Sequence, residues 1–306
     1  CGRHRSAWEV LVFYSLARHI RGEATETLKA AAEIRDVFSV HIREMARGDD
    51  AENGDVDPDT RNILVSQLLW SDMLSCLALL ETLDVGQAAA VHARAADLAK
   101  MCRYDEAKWS ESGHLQQVVY HALTTAVRGR QGDTKQMLAE ATEAIKLFDN
   151  VQQPMFFGVS YLAYVLVADA LVEAWLRAVD TADTDDVPTI AAMLAAVSSH
   201  LASFTSNFAF AEPRCLTVAG VAECLAAKDA ATTESGRDKL RRAAAAGMRL
   251  DMPLDAAYAA FFYERFSDTP ELEQITQARN VCHKLGAEHK ANVIELYLHT
   301  NFGKRF

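Results

Sequence analysis

Apolar positions recur every three or four residues along most of this chain. They form stretches several helical turns long, and short polar connections separate these stretches. One early stripe holds the apolar residues Leu28, Ala31, Ile34, Val37, Phe38 and Ile42. This spacing is typical of an amphipathic helix with one buried face. The turns contain Gly or an acid, as at Gly22, Asp84 and Gly132. Because short connections hold neighbouring helices side by side, the pattern predicts a series of helical hairpins.

A single hairpin of this kind cannot bury its own apolar face, so successive hairpins must stack. We therefore predict an all-α fold, a tetratricopeptide-like superhelical array of antiparallel helix pairs, in which residues 1–306 form one domain. The second helices carry small residues on one stripe: Ala95, Ala96, Ala141, Ala144, Ala243, Ala244 and Ala278. The first helices supply the bulky residues Trp70, Leu123, Trp175 and Phe262. We expect hairpins that pack large against small around a spine with no chemical centre.

Composition narrows the possible functions. Half of the 306 residues are hydrophobic and the formal net charge is −11, with Lys and Arg interleaved among more numerous acids. A nucleic-acid partner is therefore not expected, because a phosphate-binding face needs clustered cations. The apolar run from Phe156 to Ala168 ends at Asp169 and Glu173, well short of a bilayer span, and predicts a buried helix instead.

The six cysteines are scattered and form no Cys-x-x-Cys pair, and no secretion signal is recognisable. Both features favour reduced thiols and a cytoplasmic location. Since the chain begins at Cys1 and not at Met, we expect it to be a piece of a longer polypeptide.

Motifs for catalysis, cofactors and metals are missing from the sequence. It contains no Gly-x-x-x-x-Gly-Lys-Ser/Thr loop, no Gly-x-Gly-x-x-Gly turn and no Gly-x-Ser-x-Gly elbow. The ten histidines include no His-x-x-x-His pair that would suit a metal. We therefore predict that this segment is not an enzyme and holds neither a cofactor nor a metal.

Two groups of residues are candidates for contacting a partner. Phe204, Phe208 and Phe210 cannot all lie on one helical stripe, so at least one of them could project into a groove. Arg237 and Arg241 belong to a basic cluster that could bind an acidic partner. The alternatives are that the phenylalanines pack in the core and that the arginines form the solvated face of a helix.

The stretch from Ala243 to Glu288 resembles the C-terminal repeats that follow the ATPase module in soluble-type class III nucleotide cyclases and STAND-type regulators. The similar features are Met252 with Pro253, the Ala-rich helix from Ala256 to Phe262, and the ending Leu285, Gly286 and Ala287. The resemblance covers about one sixth of the chain and has the form of an Ala-rich helical hairpin. It implies a regulatory or scaffolding arm whose catalytic and ATP-binding domains would lie upstream.

From these observations we expect a non-catalytic module for protein interaction or regulation, for example the C-terminal arm of an ATPase-coupled nucleotide cyclase or a similar signalling protein. Its partner would be another protein or another domain of the same polypeptide. One alternative is a helical array that senses a small effector. A further alternative is an all-α enzyme whose site carries no recognisable motif.

Overall fold

The computed structural model describes residues 14–48, 58–101, 111–149 and 157–303, and within these ranges the fold is all-helical without strands. Residues 14–20 are helical and are called α1. The further helices are α2 (Ala24–Gly48), α3 (Pro58–Glu81), α4 (Val85–Met101), α5 (Glu111–Arg130), α6 (Thr134–Phe148), α7 (Phe157–Thr181), α8 (Val187–Thr205), α9 (Glu212–Ala226), α10 (Ala230–Arg249), α11 (Pro253–Arg265), α12 (Leu272–Lys284) and α13 (Glu288–Phe302). A short 3-10 turn, Ala209–Ala211, precedes α9. The prediction of an all-α chain made of adjacent helix pairs is confirmed.

Five turns between successive helices share one backbone form. In each, an amide N–H donates to a carbonyl five residues earlier, as from Glu23 to Arg18 at 2.9 Å and from Asp133 to Arg128 at 3.0 Å. The residue before each donor has a positive φ; these residues are Gly22, Leu83, Gly132, Asp251 and Gly286. This is the Schellman ending, which satisfies the last carbonyl groups of a helix. The tight acidic or Gly-containing turns seen in the sequence are therefore a recurring structural unit.

The same turns also start the next helix. The Asp84 carboxylate accepts the N–H of Gln87 at 2.9 Å, and the Asp133 carboxylate accepts the N–H of Gln136 at 3.1 Å. An acid at this position satisfies an amide that the new helix leaves free. Each of these two turns therefore ends one helix and begins the next without additional connecting residues.

Helix packing proceeds in sequence order, with α3 against α4, α5 against α6, α7 against α8, α9 against α10 and α11 against α12. The odd-numbered helices from α3 to α11 also contact one another in order. Their bulky residues Trp70, Leu123, Trp175 and Phe262 are buried. The small residues Ala95, Ala141, Ala144, Ala243 and Ala278 are buried as well. The core is therefore built from large and small side chains in alternation along the chain.

The helices α9 and α10 approach most closely at two glycines. A Cβ atom on Gly236 would stand 2.7 Å from the carbonyl oxygen of Gly220, and a Cβ atom on Gly220 would stand 2.7 Å from the carbonyl oxygen of Gly236. Atoms that close would clash with rigid backbone. The two helices can pack at this distance only because neither position carries a side chain.

The N-terminal and C-terminal parts of the described chain contact each other. Arg21, in the turn after α1, forms an ion pair with Asp251 at 3.0 Å, and Gly22 lies so close to Leu254 of α11 that an added Cβ would be 2.7 Å from it. Helix α13 packs against α3, where Lys290 donates to Glu81 at 2.6 Å. The succession of hairpins therefore closes on itself.

Two helices in the described ranges are long and apolar enough, by length and composition, to cross a membrane. In the first, Gly158–Thr181, 83% of the apolar window is buried in the fold, which agrees with the buried helix predicted from the sequence. In the second, Val187–Thr205, only 28% of the window is buried. Helix α8 therefore leaves much of an apolar surface uncovered.

Candidate functional site

Charged and titratable side chains from distant parts of the chain converge in the interior. Every odd-numbered helix contributes to this axial charge cluster, which we define as His19, Glu81, Arg130, Asp169, Glu173, Arg214, Asp255, His289 and Lys290. The odd-numbered helices from α3 to α11 lie side by side and α13 packs against α3, so positions that are far apart in the sequence meet. The expectation of a spine with no chemical centre is therefore wrong. The Ala-lined faces pack between helices, but the inward positions of the odd-numbered helices carry charged side chains.

Arg214 of α9 joins two carboxylates of the cluster. Its guanidinium donates to both carboxylate oxygens of Asp169, at 3.2 and 3.3 Å, and pairs with Asp255 at 2.5 Å. Arg214 is 6% exposed and Asp255 is 5% exposed, so this pair has little water around it. Burial alone would lower the pKa of Arg214, but the two carboxylates hold it well above its ordinary value. Arg214 therefore ties α7, α9 and α11 together.

Lys290 links the last helix to an early one. Its ammonium group donates to Glu81 at 2.6 Å, lies 3.9 Å from Asp169 and stands over the ring of Tyr258 at 5.7 Å from the centroid. Burial would raise the pKa of Glu81, but Lys290 and Arg130 bring it far below its ordinary value. Glu81 therefore stays ionised and holds α13 against α3.

Glu173 makes the neighbouring connection between α7, α5 and α13. It accepts from Arg130 and, at 3.0 Å, contacts Nε2 of His289. Burial lowers the pKa of His289 to about 4, which outweighs the raising effect of Glu173. Burial likewise lowers the pKa of His19 to about 4. With both imidazoles neutral at pH 7, the cluster holds three cations and four carboxylates.

The cluster surrounds a small cavity of about 40 Å³. Three buried polar atoms in its lining have no hydrogen-bond partner among the described residues: Nδ1 of His19, Oε2 of Glu81 and Nε of Arg214. A buried water needs about 10–15 Å³ measured in this way, so the volume suits two or three waters bridging these atoms. The cavity is too small for a metabolite.

A much larger groove of about 500 Å³ opens beside the cluster. We call it the α7–α13 groove. Its walls combine apolar and charged side chains, among them Leu176, Arg177, Asp180, Arg265, Val293, Leu296 and Tyr297. Glu173 and His289 also line it, so members of the axial charge cluster form part of its surface. Ligand pockets in proteins typically have volumes of about 300–1,000 Å³.

The phenylalanines singled out in the sequence lie at the end of α8 and in the turn after it. Phe204 is fully buried, stacks on Phe208 at 4.6 Å and meets the edge of Phe210 at 5.8 Å. It also stacks on Tyr161 of α7 at 5.9 Å. Phe204 is thus a core residue, while Phe208 and Phe210 are half-buried. Partner binding by this group stays a prediction.

The arginines singled out in the sequence lie on α10. Arg237 pairs with Glu234 at 3.1 Å and stands over the ring of Tyr263 at 4.5 Å. Arg241 pairs with Asp238 at 2.5 Å on the exposed surface. Both arginines therefore have acidic neighbours one turn away on their own helix, and partner binding by them also stays a prediction.

The axial charge cluster was missed because each helix supplies only one or two of its members. Asp169 and Glu173 gave the one available signal, since two acids one turn apart interrupt a long apolar stretch. Acids inside an apolar helix need partners, and here Arg214 and Arg130 provide them. The sequence places these four residues on three different helices.

The depressed pKa of His289 predicts a pH-dependent stability. The unfolded chain binds a proton near pH 6.5 but the folded chain only near pH 4, so stability should fall as the pH decreases through that interval. The expected loss from this residue is about 1.4 kcal/mol per pH unit. Urea unfolding at pH 7 and pH 5 measures it, and His289→Gln should reduce the difference between the two pH values. An equal difference in both proteins would contradict the assignment.

Among the described residues, no group of three or more His, Cys, Asp or Glu side chains is arranged to hold a metal ion. The described cysteines Cys76, Cys215, Cys224 and Cys282 are free thiols. Burial raises the pKa of Cys76 and of Cys282 to about 12, which makes both unreactive at neutral pH. No protein-family model, curated protein or solved structure matches this chain.

Proposed function

We propose that this chain is a non-catalytic regulatory module, a tetratricopeptide-like helical array that binds a small effector in the α7–α13 groove. The observation that carries the proposal is the position of the groove. It is formed by helices from the middle and the end of the chain, and it includes the His289–Glu173 contact that joins them. An occupant would therefore touch one of the contacts that hold the last helix in place.

The closure of the array favours a small ligand over a broad protein surface. The inner helices face one another across the axial charge cluster, and α13 packs against α3. Among the described residues, this contact brings the last helix against the hairpin of α3 and α4. The groove, in contrast, has the volume of a small-molecule pocket.

Binding is better supported than catalysis. The carboxylates Asp169, Asp255 and Glu81 are each engaged by Arg214 or Lys290, and the cavity between them has room only for water. A general acid or base needs space for a substrate within hydrogen-bonding reach. The groove itself is lined by ion-paired acids and by arginines. This chemistry suits recognition and regulation.

An effector would act by linkage. A ligand that binds only when α13 is in contact with α3 stabilises this arrangement. The stabilisation is about 2.7 kcal/mol when the ligand concentration is 100 times Kd. Because α13 contributes to the groove and to the contact with α3, ligand binding and closure favour each other. A neighbouring domain that senses the position of α13 would receive the signal.

The test is calorimetry of the chain against a panel of metabolites, with two matched variants. Leu296→Asp changes a 66% exposed residue in the groove, whereas Met248→Asp changes a 73% exposed residue on α10. We expect at least one metabolite to bind, with affinity lost in the first variant and retained in the second. Absence of binding across the panel, or equal effects of the two variants, would contradict the proposal.

Protein interaction is the second candidate, as an arm of an ATPase-coupled nucleotide cyclase or a similar signalling protein. Helix α8 supports it, because Val187–Thr205 contains no Asp, Glu, Lys or Arg and is largely uncovered. An uncharged exposed helix face is typical of an interface with another domain. Sequencing the coding region upstream of Cys1 tests the relationship to the cyclases. Sedimentation of the recovered protein, with and without Ala195→Arg, tests whether α8 forms an interface. A DNA-binding or kinase domain upstream would argue against the cyclase relationship.

A further inference from the structure

We infer that the α7–α13 groove binds a monocarboxylic acid with an apolar tail, and that Arg177 binds the carboxylate. This inference rests on the proposed function and adds the chemical class of the effector. It is carried by the charges that line the groove, by its exposed apolar wall and by its volume.

One cationic side chain in the groove is not paired with a carboxylate. Asp180 is bound by Arg265 at 3.1 and 3.2 Å, and Glu173 is bound by Arg130 and by His289 at 3.0 Å. Arg177, which is exposed, has no ion-pair partner among the described residues. His289 is neutral at pH 7 because burial lowers its pKa to about 4. The unpaired charge in the groove is therefore positive, and it belongs to a guanidinium, whose planar fork matches a carboxylate.

The apolar wall of the groove indicates that the ligand has an apolar part in addition to its negative charge. Leu176 and Val293 line the groove together with Leu296, which leaves 66% of its surface exposed. Tyr297 adds an aromatic ring that already carries Arg265 at 5.1 Å on its face. A simple ion such as acetate would leave Leu296 in water. An alkyl or aromatic tail would cover it and gain about 25 cal/mol for each Å² of apolar surface removed from water.

A single negative charge fits the groove better than two. Glu173 and Asp180 line the same space as Arg177, so a second carboxylate or a phosphate on the ligand would face like charge. The volume of about 500 Å³ is also that of a pocket for one small molecule. The favoured occupant is thus a free acid with one charged end, and a peptide with a C-terminal leucine is the alternative source of the same chemistry.

Calorimetry with four probes tests the inference: decanoate below its micellar concentration, decanamide, decanedioate and a hexapeptide ending in leucine. Decanamide has the same tail without the charge, and decanedioate adds a second charge. We expect decanoate to bind about tenfold or more tightly than decanamide, which is the effect of one charge-assisted contact. We also expect it to bind more tightly than decanedioate and the peptide.

Arg177→Gln should weaken decanoate about tenfold while leaving decanamide unchanged. The matched control is Arg242→Gln, an exposed arginine on α10 outside the groove. Equal binding of decanoate and decanamide, or equal effects of the two arginine variants, would overturn the role of Arg177. Tighter binding of the peptide would overturn the free acid as the occupant.

The two proposals fail separately. If another metabolite binds in a manner sensitive to Leu296→Asp while decanoate does not bind, the ligand class is wrong and the effector groove remains. If neither decanoate nor any metabolite binds, both are wrong.

Discussion

Replacing Arg214 with methionine is expected to lower the free energy of unfolding by about 3–5 kcal/mol, the usual cost of removing one partner from a buried ion pair. The substitution would leave the buried Asp255 without its cation, and Asp169 with only Lys290, at 3.9 Å. Asp255 is only 5% exposed, so bulk water cannot solvate it as it solvates a carboxylate on the surface. The loss of stability arises more from the cost of keeping two buried carboxylates without Arg214 than from the lost attraction between the ions.

Chemical denaturation at pH 7 measures this effect, with Arg241→Met as the control. Arg241 also pairs with an aspartate, but its side chain is 70% exposed, so its loss should have no measurable effect. A triple variant that adds Asp169→Asn and Asp255→Asn to Arg214→Met should recover part of the stability by removing the unpaired charges. If Arg214→Met and Arg241→Met are equally stable, the axial charge cluster is not a buried network.

Replacing Gly236 with alanine is the second change with a large expected effect. Alanine favours a helix over glycine by up to about 1 kcal/mol, so helix propensity alone predicts stabilisation. The added Cβ would, however, stand 2.7 Å from the carbonyl oxygen of Gly220 and 2.6 Å from the sulfur of Cys224. We expect the forced separation of α9 and α10 to dominate, with a net loss of about 1–3 kcal/mol.

The matched control is Gly158→Ala in the first turn of α7. Here the nearest atom to an added Cβ is Cδ1 of Leu16 at 3.9 Å, an ordinary contact. This variant should be as stable as the parent or slightly more stable, because alanine restricts the unfolded chain. Thermal unfolding of both variants decides the matter. A stabilised Gly236→Ala protein would show that the two helices can separate without cost.

Much of the fold could be predicted because the signals for it are local. The apolar spacing within each stretch predicts a helix, and an acid after a short turn predicts where the next helix begins, as at Asp84 and Asp133. The Schellman turns were only partly visible, since Leu83 and Asp251 adopt the positive φ that the sequence would suggest for glycine. The backbone form of the turn recurs although its residues vary.

The candidate site could not be predicted because it depends on long-range pairing. Glu81 and Lys290 are 209 residues apart, and nothing local relates one to the other. Apart from Asp169 and Glu173, each charged residue seen alone resembles a surface position on its helix. The close contact of Gly220 with Gly236 was missed for the same reason, since a glycine within a helix does not reveal which backbone lies against it.

The contacts between the N-terminal and C-terminal helices have a consequence for how the chain unfolds. An open row of repeats can lose its outermost units one at a time, because each unit contacts only its neighbours. Here Arg21 after α1 pairs with Asp251 before α11, and Lys290 of α13 pairs with Glu81 of α3. In the described part of the chain, neither α1 nor α13 can therefore detach without breaking a contact with a helix far away in the sequence. The described hairpins should therefore melt in one concerted step, and Lys290→Met should split that step into an early loss of the ends and a later loss of the middle.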